Sequence, residues 1–341
     1  MTDENLFLKA FAGNNEQVPV WFMRQAGRFL PDYQIIREKY SLQEMFQTPE
    51  LAAKITCLPI DKLGVDAAIL FADILTLPSL MGFDIQFQKA GGPTIMNPVR
   101  KFSDVERIKN LEDIGSVAET IHLVHHQLSN TKALIGFAGG PFTVLSYLVE
   151  GGGSADFQKT LHFLHKEPAA FHRLMKVLSE NTIVYLKQQA KAGIDAFQLF
   201  DTWAGILPQD IYRQSVFPYL QQIFEQVKIP SIYYIKNGGH LLGMLDQLAV
   251  DFLSICSTVS LNDPQVQTSK KGIQGNLWNG FLYSDRDTLK QATENVLKQS
   301  EGLPRYIFNL SHGIYPDVDP EQVKFIVEIV HAHQKSCLEV F

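Results

Sequence analysis

Cysteine is scarce in this chain: Cys57, Cys256 and Cys337 are the only three among 341 residues. An odd, dispersed set of that kind excludes a disulfide framework. No apolar run approaches the ~18 residues that cross a bilayer, and the opening Met-Thr-Asp-Glu-Asn lacks the basic n-region of a secretory signal. The expectation is a soluble, reduced, cytoplasmic protein with no membrane partner. Positive charge is not in surplus either. With 30 Lys and Arg against 36 Asp and Glu the net charge is −6, which argues against a nucleic-acid partner or an anionic membrane surface. A polyanionic ligand would therefore have to meet a local cationic cleft. Nowhere does Gly-x-x-x-x-Gly-Lys-Ser/Thr occur, and no Gly-x-Gly-x-x-Gly follows the first apolar run. Histidines and cysteines do not cluster at metal-ligand spacing; His331 and His333 precede Cys337, but on an apparent terminal helix. Long linkers, charge blocks, low-complexity tracts and internal repeats are all missing.

What is present is a regular alternation. Hydrophobic residues make up 45% of the chain, enough for a sizeable core. Apolar, strand-like runs fall at 18–23, 67–71, 133–137, 196–200, 231–235, 252–256, 272–277 and 306–310, the sixth being the weakest. Helical patterns lie between them, including 49–63 after Thr48, 168–192 before Gly193, 208–227, 284–300 and 320–340. Eight β-then-α units predict a single (β/α)8 TIM barrel over residues 1–341. A pair of short runs at 85–88 and 94–96, joined across Gly91-Gly92-Pro93, reads as a β-hairpin inserted after the second strand. An open doubly wound sheet is the competing architecture.

In such a barrel the chemistry sits where the strands end. Several polar residues of this chain fall at those positions. Arg24 and Arg28 follow the first strand, four residues apart, with Gly27 between them and Pro31 soon after. Residues at that spacing share a face, so both guanidinium forks can converge on one target. They fit either a ligand bearing several carboxylates or a pair of surface salt bridges. Asp73 lies after the second strand in an apolar run, Ala67-Ala68-Ile69-Leu70-Phe71-Ala72, where a carboxylate needs a partner. It fits a helix or loop cap, or an acceptor for ligand N–H groups. Tyr147 follows a glycine-rich stretch from Gly136 to Thr143 and could equally pack in the core. Asp201 and Thr202 end the fourth strand and could cap a helix or close a turn. His312, between Ser311 and Gly313, is a loop histidine or a donor to a carboxylate.

Met23-Arg24-Gln25-Ala26-Gly27-Arg28 followed by Leu30-Pro31 resembles the N-terminal signature of the uroporphyrinogen decarboxylases. Leu70-Phe71-Ala72-Asp73-Ile74-Leu75 is similar to the family segment whose aspartate contacts the pyrrole nitrogens of the bound tetrapyrrole, with Ala72 where Ser is common. The stretch from Gly136 to Ser154 resembles the family's glycine-rich segment, whose tyrosine corresponds to Tyr147. Thr202 stands where the family often has Ser, and His312 where it carries a substrate-binding histidine. These landmarks run from residue 19 to about 320 in the family's order. Two places depart from it: Trp278-Asn279 replaces an expected Asp-Pro, and the region around Cys256-Ser257-Thr258 lacks an expected Asp-Trp. Both put the sixth and seventh loops in question, while the landmarks at Arg24, Asp73, Tyr147 and His312 are expected to stand clear of them.

The resemblance implies decarboxylation of the four acetate side chains of uroporphyrinogen III to methyl groups, giving coproporphyrinogen III and CO2 in heme biosynthesis. It implies no cofactor and no metal, a small-molecule substrate, and a homodimer. Asp73, Arg24 and Arg28 are the catalytic candidates; Arg24, Gln25, Ala26, Gly27, Arg28, Asp73, Tyr147, Thr202 and His312 are the candidate substrate-binding set. The alternatives are a catalytically inactive porphyrinogen-binding protein, motivated by Trp278-Asn279, and a zinc/cobalamin-linked methyltransferase on the same barrel.

Overall fold

The structure, a computed structural model, describes residues 5–14, 16–88, 92–129 and 131–333. Seven strands form one parallel sheet: β1 (Ala67–Ile69), β4 (Ala133–Gly139), β5 (Ala196–Phe200), β6 (Ser231–Tyr234), β7 (Phe252–Ser254), β8 (Gly272–Leu277) and β9 (Tyr306–Leu310). They are hydrogen-bonded in that sequence order, from Ala67 beside Ala133 to Leu277 beside Leu310. A doubly wound sheet would reverse its order at a switch point, and this one never does. Almost every strand residue is buried, as expected where helices cover a parallel sheet outside and side chains fill it inside. The sheet curls. Inside it, Trp21 Nε1 donates to Gln274 Oε1 at 2.9 Å, and Gln274 Nε2 donates to Gln198 Oε1 at 2.9 Å and to Ser254 Oγ at 2.8 Å.

The run at 18–23 departs from expectation. Only Val20 makes a bridge, to Phe308 of β9, and on its other side the Val20 carbonyl accepts from the Asp66 N–H just before β1. Side chains take the N–H groups that a neighbouring strand would have taken. Val20 N donates to Asp66 Oδ2 at 2.9 Å, Phe22 N to Gln25 Oε1 at 3.0 Å and Met23 N to Asn309 Oδ1 at 3.4 Å. The segment thus lies between β9 and β1 without being a ladder strand.

The remaining elements follow their local chemistry. Helices Pro49–Leu63 and Pro168–Ala192 have the expected bounds, each opening on Pro and ending at a left-handed Gly, Gly64 or Gly193. The helix expected over 208–227 is two, Gln209–Ser215 and Phe217–Gln226, broken at Val216, because Pro218 has no N–H to continue the ladder. Asp285 caps Arg286–Ser300 through a bond from the Thr288 N–H, and Asp319 caps Pro320–Ala332. The expected continuation beyond 333, with Cys337, lies outside the described residues. Strands β2 (Ile85–Phe87) and β3 (Pro93–Ile95) pair antiparallel; of the expected joint Gly91-Gly92-Pro93, Gly91 lies outside the described residues and Pro93 already belongs to β3.

Candidate active site

The carboxyl ends of the strands surround a cleft of about 590 Å3. Arg24, Ala26, Gly27, Arg28, Asp73, Tyr147, Thr202 and His312 all line it. Gln25 does not. Its side chain is fully buried behind the wall, donating from Nε2 to Ala67 O at 2.9 Å while Oε1 holds the Phe22 N–H. This fastens the arginine loop to β1.

Arg24 sits at φ +62°, in the left-handed region that side chains seldom adopt. The turn directs its backbone back on itself, and a Cβ on Gly27 would lie 2.7 Å from the Arg24 carbonyl oxygen. On the neighbouring loop after β9 a Cβ on Gly313 would meet Arg24 Cδ at 2.5 Å, so glycine there leaves the guanidinium stem its path. Both arginines are exposed, and among the described residues neither has an ion-pair partner within 4 Å. The surface salt bridges that their spacing also allowed do not form.

Asp73 follows β1 in the half-buried cleft wall. Its Oδ1 accepts from the Leu75 N–H at 2.9 Å and its own N–H donates to Thr76 Oγ1 at 3.1 Å, a local Asx turn. The capping reading of this residue is met by that oxygen, and the residue also lines the cleft. Burial raises its pKa above the usual carboxylate range, against the pull of the Leu75 N–H and of Arg24. Tyr147 projects from helix Pro141–Glu150, its ring 4.1 Å from that of Trp203. Burial, and then the charge of Asp73, pushes the Tyr147 hydroxyl up to about 12, so it stays a proton donor at neutral pH.

Asp201 follows β5, beside Thr202, but is fully buried. It caps a helix, although a different one from that expected near Pro208. Its Oδ1 accepts from the Thr143 N–H at 2.9 Å and the Thr143 hydroxyl at 2.7 Å, and Oδ2 accepts from the Tyr233 hydroxyl at 3.1 Å. Thr143 lies in the first turn of Pro141–Glu150, the helix that carries Tyr147. A Cβ on Gly140 would fall 2.3 Å from Asp201 Cγ, so that contact requires glycine. Burial drives the Asp201 carboxyl up to about 6, with the bonds from Thr143 and Tyr233 opposing it.

His312 follows β9. Burial, then the neighbouring charges of Arg24 and Lys236, lower its pKa to about 4, which makes it a neutral imidazole at pH 7. Its loop is fastened by Asn279, which is 1% exposed. Asn279 Nδ2 donates to His312 O at 2.9 Å and to Gly313 O at 3.0 Å, while Oδ1 accepts from Ser311 Oγ at 3.0 Å. The departure at Trp278-Asn279 therefore touches the His312 landmark directly, contrary to expectation. Trp278 itself is 56% exposed and covers Gly280, where a Cβ would meet its ring at 2.4 Å.

Sequence reading missed Lys236, Trp203, Tyr234 and Thr143 as cleft residues and Asn279 as a support. Lys236 carried a usable signal, because it ends the run at 231–235 and is followed by Asn237-Gly238-Gly239. Asn279 carried none, since its partners lie 32 to 34 positions along the chain. Among the described residues no three His, Cys, Asp or Glu side chains converge as a metal ligand set.

The family model described as uroporphyrinogen decarboxylase matches residues 2–333. Relatives with that name include one from Halalkalibacterium halodurans, 40% identical over 337 residues and 97% of each chain. Another, from Thermodesulfovibrio yellowstonii, is 41% identical over 329 residues, covering 95% of this chain and 97% of its own. Among solved structures, a methyltransferase from Methanosarcina mazei superposes with a TM-score of 0.80 at 19% identity, over 97% of this chain and 98% of its own. That likeness is one of fold, an α/β chain with a curled, barrel-like parallel sheet.

Proposed function

The chain belongs to the uroporphyrinogen decarboxylase family, and from that premise we propose how its cleft carries out the reaction. The protein is a carboxy-lyase of porphyrin and heme biosynthesis. It converts the four acetate side chains of uroporphyrinogen III to methyl groups, giving coproporphyrinogen III and CO2. Each round replaces one carboxylate by one hydrogen and consumes one proton net. A proton added to a pyrrole carbon makes the ring an iminium-like electron sink. The C–C bond to the carboxylate then breaks into that sink, CO2 departs, and the exocyclic methylene takes a proton as the ring loses the first. The substrate supplies its own sink, so the mechanism requires no added cofactor.

The observation that carries the assignment of roles is one half-buried carboxylate, Asp73, in a cleft whose two arginines have no ion-pair partner within 4 Å among the described residues. Asp73 accepts the pyrrole N–H groups and stabilises the cation formed on protonation. At ~4 Å and an effective dielectric of ~20 that attraction is about 4 kcal/mol, or about three powers of ten in rate. Arg24 and Arg28 hold acetate and propionate carboxylates, with Ala26 and Gly27 forming the wall between them. Tyr147 and Thr202 donate hydroxyls to the reacting ring, and neutral His312 donates an N–H. Gln25 serves this set from behind the wall.

We extend the proposal to architecture: a single closed (β/α)8 barrel over the whole chain, with 18–23 as its first stave and the β2–β3 pair as a hairpin insertion. The bonds of Val20 to Phe308 on one side and Asp66 on the other support the closure. The family resemblance supports a cytoplasmic homodimer, which sedimentation equilibrium would test. The reaction is tested by anaerobic incubation of the purified protein with uroporphyrinogen III, resolving products by carboxylate number. Stepwise appearance of species with seven, six, five and four carboxylates, with CO2 release, is expected. Tight binding without CO2 would establish a porphyrinogen-binding protein instead.

A further inference from the structure

Resting on that reading of the cleft, we propose that Lys236 is a substrate-carboxylate anchor on the wall facing the two arginines. Lys236 leaves the end of β6 and lines the cleft. Counting around the sheet from the segment at Val20, β1, β4 and β5 precede β6, and β7, β8 and β9 follow it before the count returns to Val20. Three strands separate Lys236 from Arg24 in either direction, so the two cations stand on opposite sides of one mouth.

The root of Lys236 is fixed while its ammonium is free. A Cβ on Gly205 would lie 2.0 Å from the Lys236 carbonyl oxygen, so the β5–β6 loops touch backbone to backbone. Asn237 takes a left-handed turn at φ +56°, and its N–H donates to Cys256 Sγ at 3.2 Å. The side chain is exposed, and among the described residues no carboxylate lies within 4 Å of Nζ. His312, between the two sides, feels both Arg24 and Lys236.

Charge and chemistry then choose the ligand. Arg24, Arg28 and Lys236 are the cationic Arg and Lys residues of the cleft, in a protein whose net charge is −6. The substrate brings four acetate and four propionate carboxylates to them. A macrocycle that is decarboxylated ring by ring must be held at one point while another ring reacts. Lysine suits that task better than arginine, because a point charge on a flexible stem accepts carboxylates arriving at different angles, whereas a planar fork does not. Lys236 is thus a binding residue, and it favours multiply carboxylated porphyrinogens over those that have lost their acids.

The test compares Lys236→Met, Lys236→Arg and wild type in the anaerobic assay, with uroporphyrinogen III and the pentacarboxylate intermediate each as substrate. Lys236→Met should raise KM for uroporphyrinogen by roughly 5- to 10-fold with kcat within about twofold, the effect of one partly solvated charge pair. Lys236→Arg, which keeps the charge but not the adaptable point-charge geometry, should recover only part of that loss, and the dependence of KM on salt should weaken in the Met variant. A pentacarboxylate KM raised equally identifies a propionate as the partner; an effect confined to uroporphyrinogen identifies an acetate. If wild type turns over normally while Lys236→Met matches it in KM and salt dependence, the anchor is refuted and the reaction stands. If wild type releases no CO2, the functional reading itself fails.

Discussion

Asn279→Ala should uncouple the strand-end loop that carries His312. The wild-type side chain makes three buried bonds, to the carbonyls of His312 and Gly313 and from the Ser311 hydroxyl, at 2.9, 3.0 and 3.0 Å. At about 1 kcal/mol each their loss costs about 3 kcal/mol. Unfolding entropy is about 2.1 cal/mol/K per residue, or ~0.7 kcal/mol/K for a chain of this length, so the melting midpoint should fall by about 4 °C. Function should fall as well. Gly313 packs against the Arg24 stem, so a loosened loop misplaces both His312 and Arg24, and kcat/KM should drop by roughly tenfold. Asn279→Asp separates shape from bonding. It keeps the size and the acceptor for Ser311, but sets an oxyanion against two carbonyls where a donor stood, and should do no better than alanine. Calorimetry and steady-state kinetics read both variants. An alanine variant that melts within a degree of wild type with unchanged kinetics would refute the clamp, as would an aspartate variant that behaves as wild type.

Asp73→Asn keeps an oxygen for the Leu75 N–H, so cooperative unfolding should stay close to wild type while turnover falls ~100-fold or more; a variant that folds and turns over normally removes Asp73 from the chemistry. Arg28→Lys retains charge but not the fork, and should raise KM by roughly tenfold; unchanged KM would show that Arg28 makes no bidentate contact. Asp201→Asn tests the buried cap by pH. Because the folded carboxyl binds its proton more tightly than the unfolded one, with a pKa of about 6 against 3.8, its contribution is fully present below pH ~4 and is lost as pH rises through ~6. Between pH 4 and 7 the denaturant stability of Asp201→Asn should therefore gain about 2 kcal/mol relative to wild type, and a difference that does not move with pH would overturn the assignment.

The seven ladder strands were legible because a parallel sheet is buried on both faces, which leaves largely apolar runs, unbroken at Ala67–Ile69 and interrupted only by Gln198 at Ala196–Phe200. The run at 18–23 has the same composition and is not a strand. Its Trp21 N–H reaches the Phe308 carbonyl of β9, but those of Val20, Phe22 and Met23 go to the side chains of Asp66, Gln25 and Asn309, and only Gln25 of these is near in sequence. The break at Val216 was written in Pro218, yet the helical period on both sides masked it. At the site, the rule that chemistry sits at strand ends placed Arg24, Asp73, Tyr147, Thr202 and His312 around one cleft, and the same rule would have added Lys236. Asp201 shows the limit of local reading. As a residue before a helix it looks like that helix's cap, but its oxygens reach back 58 positions to Thr143.

The two ends of the sheet use like groups to opposite effect. Below β1, the buried Asp66 carboxylate meets Lys132 Nζ at 3.1 Å and His331 Nε2 at 2.9 Å, and also takes the Val20 N–H. Asp66 and Lys132 are paired there, and the bond to His331 fastens helix Pro320–Ala332 to the segment between β9 and β1. At the carboxyl end the balance is reversed. Arg24, Arg28 and Lys236 share the cleft with a single carboxylate, Asp73, that is itself partly occupied by the Leu75 N–H. Gathering three cations of like sign is unfavourable for the folded chain on its own, and among the described residues no ion pair within 4 Å offsets it. The glycines at 27, 205 and 313 hold backbone or side chains close around those cations at positions where a Cβ would intrude. Stability alone would not assemble that arrangement; in the proposed reading, a ligand carrying many carboxylates, with its pyrrole nitrogens toward Asp73, would supply the charges the cleft lacks.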